Sequence, residues 1–331
     1  MTTRHTHRSY CLLRLKSFAS IAAALCHRVL LQPCSQSWCN AMLRLLLLIA
    51  SALAAPKKHS SDAASRIRRA ARNRESSSDV GIDPLPLQGK LAIVTGGGRG
   101  IGAAVARALA QRGCRVLITY RSNVEAAADT MMALPGDGHD ARQCDVTDAD
   151  AVAQLFEDVD ADIVVNNAAI YEESHFLDST FEDWQRVWRD TIDANLVGPA
   201  NVIFHAGRSM ARRGGGVIVC VSSRGAFRGE PDAPAYGASK AGLNQLSQSA
   251  AKALAPSNVV VGVVAPGFVD TAMAAEVLQG PRGDAIRGDS PFNRVASVDE
   301  VAEAVLYFTN TDAKWSSGAI IDVNGASYLR S

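Results

Sequence analysis

From Leu91 onward, short apolar runs alternate with longer segments in which apolar residues recur at helical spacing. Residues 91–95 (LAIVT) form an apolar run flanked by glycines, the pattern of a buried strand. Residues 101–112 are rich in Ala and Arg, keep their apolar positions at helical spacing, and are followed by Gly113, which can end a helix. "CRVLITY" at 114–120 is a second β-rich run. Strand, helix and strand within about 30 residues make a βαβ unit and imply a parallel sheet. The runs "ADIVVNNAA", "GGVIVCVSS", "NVVVGVVAPG" and "SGAIIDVNG" read as further strands, continuous in Val and Ile as strands covered on both faces are. Helices are expected at about 125–134, 148–158, 181–212, 236–254 and 298–309. The predicted fold class is α/β: a single doubly wound (Rossmann) domain over 86–331, with a mostly or fully parallel sheet of about seven strands.

Composition separates this domain from what precedes it. The whole chain carries a net charge of +1, yet residues 1–88 hold 13 Lys/Arg against 4 Asp/Glu. The remainder has 21 basic and 29 acidic residues and shows no basic stripe, so nucleic acid is not an expected partner. Residues 1–85 read as a leader with no acidic residue before Asp62 and with Arg scattered among Leu, Ala and Ser, the composition of an organelle transit peptide. An internal apolar run, "MLRLLLLIASALAAP", is too short to span a bilayer comfortably and resembles a displaced secretory signal. The stretch from Lys57 to Asp79 is polar, basic and poor in aromatics, a composition of disordered chain. Two readings stay open: targeting to a mitochondrion or plastid, or a translation start further downstream and a cytoplasmic protein. Cys114, Cys144 and Cys220 sit in or beside apolar runs and are expected as buried free thiols.

The turn after the first strand, Thr95-Gly96-Gly97-Gly98-Arg99-Gly100-Ile101-Gly102, is where chemistry first enters. A dinucleotide pyrophosphate needs a tight turn, close backbone approach and a helix N-terminus with free N–H groups. Gly96, Gly100 and Gly102 can supply these. After the second strand stand Tyr120-Arg121-Ser122, with no carboxylate before Glu125 to accept from the ribose 2′-OH of NAD. Arg121, with Arg99 in the turn, suits a 2′-phosphate, so NADP(H) is the expected cofactor.

Taken together, the TGGGRGIG turn, Asp145-Val146, "NNAA" at 166–169, Asn195, Ser223, "YGASK" at 236–240 and "PGFVDT" at 266–271 resemble the short-chain dehydrogenases/reductases across residues 88–329. The resemblance implies a catalytic tetrad of Asn195, Ser223, Tyr236 and Lys240, and no metal. Tyr236 and Lys240, at i and i+4, share one helix face. A free tyrosine has a pKa of about 10, and a nearby ammonium is expected to lower it toward the range useful for proton transfer. In the family's pattern Ser223 positions the substrate carbonyl, Asn195 holds a relay water, and Lys240 also binds the nicotinamide ribose. Gly96, Arg99, Gly100, Ile101, Gly102 and Arg121 would line the phosphates. Asp145 and Val146 would meet the adenine, Asn167 and Ala168 would lie along the cofactor, and Pro266, Gly267 and Thr271 would flank the nicotinamide. Gly237, Ala238, Ala241 and Gly242 are expected to let the Tyr236 helix pack closely, in part against another subunit of a homotetramer. Two positions depart from the pattern: Ala169 replaces the usual glycine of NNAG, and Ala326 one near the C-terminus.

Within the family the sequence looks most like the 3-oxoacyl-[acyl-carrier-protein] reductases of fatty-acid biosynthesis, on "VAPGFVDTAM" and "DVNGASYL". Arg212 and Arg213 could dock an acidic acyl carrier protein, whereas Ser257 stands where a further Arg is common. The alternative is a reductase or dehydrogenase of a free small ketone, aldehyde, sugar or other alcohol. The polar segment after Thr271 would be its substrate lid. A non-catalytic dinucleotide-binding scaffold on the same fold is the alternative of a different class.

Overall fold

The computed structural model describes residues 86–330, so the leader readings fall outside the described residues. Seven strands form one sheet in the order β3-β2-β1-β4-β5-β6-β7. They are β1 (Leu91–Thr95), β2 (Arg115–Tyr120), β3 (Asp140–Gln143), β4 (Ile163–Asn166), β5 (Gly216–Val221), β6 (Val259–Pro266) and β7 (Ile320–Val323). Every pairing is parallel, with register fixed by contacts such as Thr95 opposite Thr119 and Val219 opposite Gly262. The order reverses between β1 and β4, and in such sheets the crevice beyond the strands' carboxyl ends at that point holds the ligand.

The two sheet faces explain the unbroken Val/Ile runs. Successive residues of β1 point to opposite faces: Val94 joins one buried cluster and Ile93 the other. The first cluster is closed by α1 (Gly100–Ala110), through Val105 and Leu109, and by α9 (Val298–Thr309), through Val301, Val305 and Phe308. The second is closed by α3 (Ala149–Asp158), α5 (Gly198–Arg212) and α6 (Pro234–Leu254), with Leu155, Val202, Met210 and Leu243 as its larger members. Gly262 in β6 lies flat under Phe308, since a Cβ there would meet the ring at 2.4 Å. Each large side chain so buried contributes about 1.5–3 kcal/mol of transfer free energy. Cys114, Cys144 and Cys220 are free and buried, as their apolar settings implied.

Three departures from the sequence pattern have physical causes. β3 carries the sequence DARQ, which has no apolar run because it is an edge strand paired only with β2 and partly solvated. The long helix expected at 181–212 is broken into α4 (Phe181–Ile192), a π-helical turn (Asp193–Val197) and α5. Pro199 offers no N–H to a continuous helix, and Gly198 is pressed against Val146, where a Cβ would stand 2.7 Å from its Cγ2. The helical ladder therefore widens just ahead of them. After β6, the polar segment contains two short helices, α7 (Ala275–Gln279) and α8 (Gly283–Gly288), too short to show periodicity; α2 (Val124–Met132) completes the set. Ala326 adopts φ +58°, a left-handed conformation that favours glycine, so its methyl group carries strain of about 1 kcal/mol.

Candidate active site

The glycine turn sits at the carboxyl end of β1 and is held from below. Thr95 Oγ1 accepts from the N–H groups of Asn167 and Ala168, both at 3.0 Å. Asn167 Nδ2 donates to the carbonyls of Thr95 (2.9 Å) and Gly96 (3.1 Å). The expected roles of Asn167 and Ala168 along the crevice thus begin with shaping the turn; Thr95, which makes these bonds, was not singled out from the sequence. Gly96 and Gly100 have φ of +63° and +56°. A Cβ on Gly102 would lie 2.4 Å from the Gly96 carbonyl oxygen and 2.5 Å from Asn167 Nδ2. Arg99, the residue before α1, makes no side-chain cap, so the first N–H groups of the helix face the turn free of one. A cradle that tolerates no side chain, at an uncapped helix N-terminus, fits a pyrophosphate. Ile101 is half-buried and packs against the core cluster beneath the turn.

Around this cradle the other predicted residues converge unevenly. Arg99 and Arg121 are exposed and make no ion pair among the described residues, and both follow paired strands, β1 and β2. Asp145 Oδ1 is engaged by Thr147, through its N–H (3.0 Å) and hydroxyl (2.9 Å), at the carboxyl end of β3. Val146 is buried beside Gly198. Pro266 ends β6, Gly267 donates to the Val323 carbonyl at 3.0 Å, and the Thr271 methyl lies 3.5 Å from where a Gly100 Cβ would stand. The start of the lid therefore rests over the phosphate turn.

The residues expected to transfer protons come from three elements. Ser223 follows β5, and its Oγ accepts from the Gly225 N–H at 3.0 Å. Tyr236 and Lys240 lie on α6, which begins at Pro234, two residues earlier than expected. Ser223 lies close enough to the Tyr236 phenol to lower its pKa. Lys240 is 3% exposed, stands 5.7 Å from the Tyr236 ring centre, and donates from Nζ to the Val221 carbonyl at 2.9 Å. Asn195, in the π-helical turn and fully buried, accepts from the Ile170 N–H (2.8 Å) and donates to the Ile170 carbonyl (2.9 Å) and Ser239 Oγ (3.3 Å). Its side chain thus clamps the chain leaving β4 to α6. Gly237 and Gly242 pack inward, against Gly225 and Leu196, while Ala238 and Ala241 face outward.

The electrostatics correct one expectation. The Tyr236 phenol is pushed up, not down: burial raises it, the Ser223 hydroxyl lowers it, and the Glu230 carboxylate raises it again. Lys240 is itself depressed to about 8, chiefly because burial penalises the ammonium. Lys240 is not among the groups that lower the phenol, so the resting pair at neutral pH is a protonated tyrosine beside a charged lysine that gives up its proton more readily than a free one. Two residues missed in the sequence share this space. Tyr171 meets Tyr236 edge-on with ring centres 5.2 Å apart, and Glu230 acts on both phenols.

Comparison with known proteins shows the family. Residues 96–326 match the family model described as enoyl-(acyl carrier protein) reductase. A 3-oxoacyl-[acyl-carrier-protein] reductase of Aquifex aeolicus is 35% identical over 251 residues, covering 74% of this chain and 99% of its own. The cis-4-hydroxycyclohexanecarboxylate dehydrogenase of Sinomonas cyclohexanicum is 39% identical over 246 residues, covering 71% and 95%. A solved short chain dehydrogenase/reductase family protein superposes with a TM-score of 0.64 at 34% identity, covering 72% of this chain and 97% of that one. The chain belongs to the short-chain dehydrogenase/reductase family.

The depressed Lys240 pKa makes a stability prediction for the protein without nucleotide. Below about pH 8 the lysine is charged whether folded or unfolded, and the cost of burying the ammonium is fully present. Between about 8 and the ordinary value of 10.5 the folded form sheds its proton first and that cost is relieved. Relative to wild type, Lys240→Met is therefore expected to be most favoured below pH 8 and to lose roughly 3 kcal/mol of that advantage by pH 10.5. Urea denaturation of both proteins across this range measures it; a difference independent of pH would contradict it.

Proposed function

We propose that this short-chain dehydrogenase/reductase is an NADP(H)-dependent oxidoreductase that reduces a carbonyl to an alcohol, with Tyr236 as general acid. The observation that carries the reading is the cluster of Ser223, Tyr236 and Lys240 at the carboxyl edge of the same sheet whose glycine turn is shaped for a pyrophosphate. The reduced nucleotide, when bound, supplies the hydride. The protein's own residues manage the rest. Ser223 donates to the carbonyl oxygen and holds it toward the Tyr236 phenol. A phenol kept protonated by burial is poised to give its proton to the alkoxide that develops there. Lys240, with its readily exchanged proton and its bond to Val221, stands one helical turn away to restore the phenol.

Preference for NADP(H) is supported by Arg99 and Arg121, exposed guanidinium groups without ion pairs among the described residues, at a strand end that lacks a carboxylate for the ribose 2′-OH. For the substrate, a free small carbonyl compound is favoured over an acyl group on a carrier protein. Arg213, one of two arginines available for an acidic carrier, is tied to Asp160 at 3.2 Å and bonds the Ala161 carbonyl. The acyl-thioester reading rests on likeness to the Aquifex reductase, and the small-alcohol reading on likeness to the Sinomonas dehydrogenase. The outward-facing Ala238 and Ala241 leave α6 able to approach a second subunit closely, in keeping with a homo-oligomer.

Two variants test the proposal. Tyr236→Phe is expected to lower kcat for ketone reduction by about 10²- to 10⁴-fold while leaving the NADPH dissociation constant nearly unchanged. Retained turnover would remove Tyr236 from the mechanism. Arg121→Asp is expected to shift the ratio of kcat/KM for NADPH over NADH by about 10- to 100-fold toward NADH, the worth of a charge-assisted hydrogen bond. An unchanged ratio would end the argument for NADP(H).

A further inference from the structure

Glu230 has no part in the proton transfer described above, yet its side chain runs between the two catalytic elements. A Cβ built on Gly225, two residues after Ser223, would meet Glu230 Oε1 at 2.8 Å and Cγ at 3.0 Å. A Cβ on Gly237, the residue after Tyr236, would come within 3.5 Å of Glu230 Cβ and Cγ. Glycines beside both catalytic residues therefore leave room for this one side chain. It is only 25% exposed, and its carboxylate accepts no hydrogen bond from the described residues. Its single ion pair, with Arg228 Nε, is long at 3.9 Å, and Arg228 is shared with Asp289 at the same distance. No donor among the described residues meets this partly buried carboxylate, whose pKa burial raises.

The charge reaches the reacting centre. Glu230 raises the pKa of both the Tyr236 and Tyr171 phenols, which meet edge-on in the cleft. The groups around it are Arg224 and Arg228 on its own loop, Asp232 two residues on, and Arg282 from the lid. Arg224 is committed to Asp289 and Ser327, and Arg282 to Asp232, so neither guanidinium closes on Glu230. What remains is a carboxylate without a donor among the described residues, within electrostatic reach of the Tyr236 phenol.

We propose that Glu230 is a specificity-determining residue: its carboxylate accepts a hydrogen bond from a hydroxyl or protonated amine on the carbonyl substrate, and it disfavours substrates bearing a carboxylate or phosphate there. The inference rests on the carbonyl-reductase reading and narrows it to donor-bearing carbonyl compounds.

The test uses the full chain, NADPH, and one ring in different dress: cyclohexanone and its hydroxy-, amino- and carboxylate-substituted derivatives. Wild type is expected to favour the hydroxy or amino ketone over the carboxylate by at least about tenfold in kcat/KM, since a donor gains a charge-assisted hydrogen bond and an anion meets repulsion. In Glu230→Gln, whose side chain keeps the same shape, that preference is expected to fall by about tenfold or more. The amino ketone losing most would identify a cationic substrate, and the hydroxy ketone losing most a polyol-like one. If wild type reduces ring ketones but prefers the carboxylate, or if the ratio in Glu230→Gln stays within about threefold of wild type, the Glu230 inference is overturned and the reductase reading stands. If wild type oxidises NADPH with none of these ketones, nor with an acyl thioester, the reductase reading itself fails. The wild-type ratio alone decides the matter should the variant not fold.

Discussion

The site depends on one buried contact, the bond from Lys240 Nζ to the Val221 carbonyl at the end of β5. An ammonium taken out of water needs a compensating acceptor, and the last carbonyl of a central strand is fixed by the sheet. The bond consequently sets how α6 lies on the strand ends, and with it the position of Tyr236 one turn earlier. Small residues make the approach possible: Gly242 meets Leu196 of the π-helical turn, and Gly237 meets the Gly225 carbonyl. Asn195 locks the same region from the other side by bonding Ile170 and Ser239. Ser239 in turn donates to the Tyr236 carbonyl at 2.7 Å. Amine and amide are held by backbone partners, which do not move with rotamers.

The loop that carries Ser223 is secured by the far end of the chain. Arg224, the only other buried cation among the described residues, donates to Ser327 Oγ (2.7 Å) and Asp289 (3.3 Å) and lies over the Phe268 ring. Tyr328 donates to the Phe227 carbonyl at 2.9 Å, and Arg330 stacks on the Phe227 ring at 4.4 Å. Asp289 caps the end of α8, so α8, the Ser223 loop and the C-terminal segment meet at one guanidinium. The strained Ala326 lies in this same segment, beside Gly325, whose carbonyl accepts from Ser290 of the lid at 2.6 Å.

Much of this was legible in the sequence because the signals were periodic or dense. Six strands announced themselves as Val/Ile runs, and the glycine turn by its place between a strand and a helix. β3 was silent because an edge strand of DARQ needs no apolar face. The π-helical turn was silent because Pro199 and Gly198 read as ordinary members of a long helix until Val146 is seen against them. Residue identity located Tyr236 and Lys240 but could not give their charges, which follow from depth of burial. Glu230 was hidden for a related reason: a lone acid in a polar loop looks solvated, and only the two glycines packed against it show otherwise.

The account turns on Tyr236 being a neutral donor in the resting protein. That is read directly from the ultraviolet absorbance of phenolate, as the difference between wild type and Tyr236→Phe titrated without nucleotide. With the phenol raised above its ordinary value of 10.0 by burial, Tyr236 is expected to stay protonated through the neutral range and to reach half-ionisation only above pH 10. A phenolate signal from Tyr236 between pH 7 and 8 would contradict it, and would mean that the charged lysine drives ionisation of its neighbour.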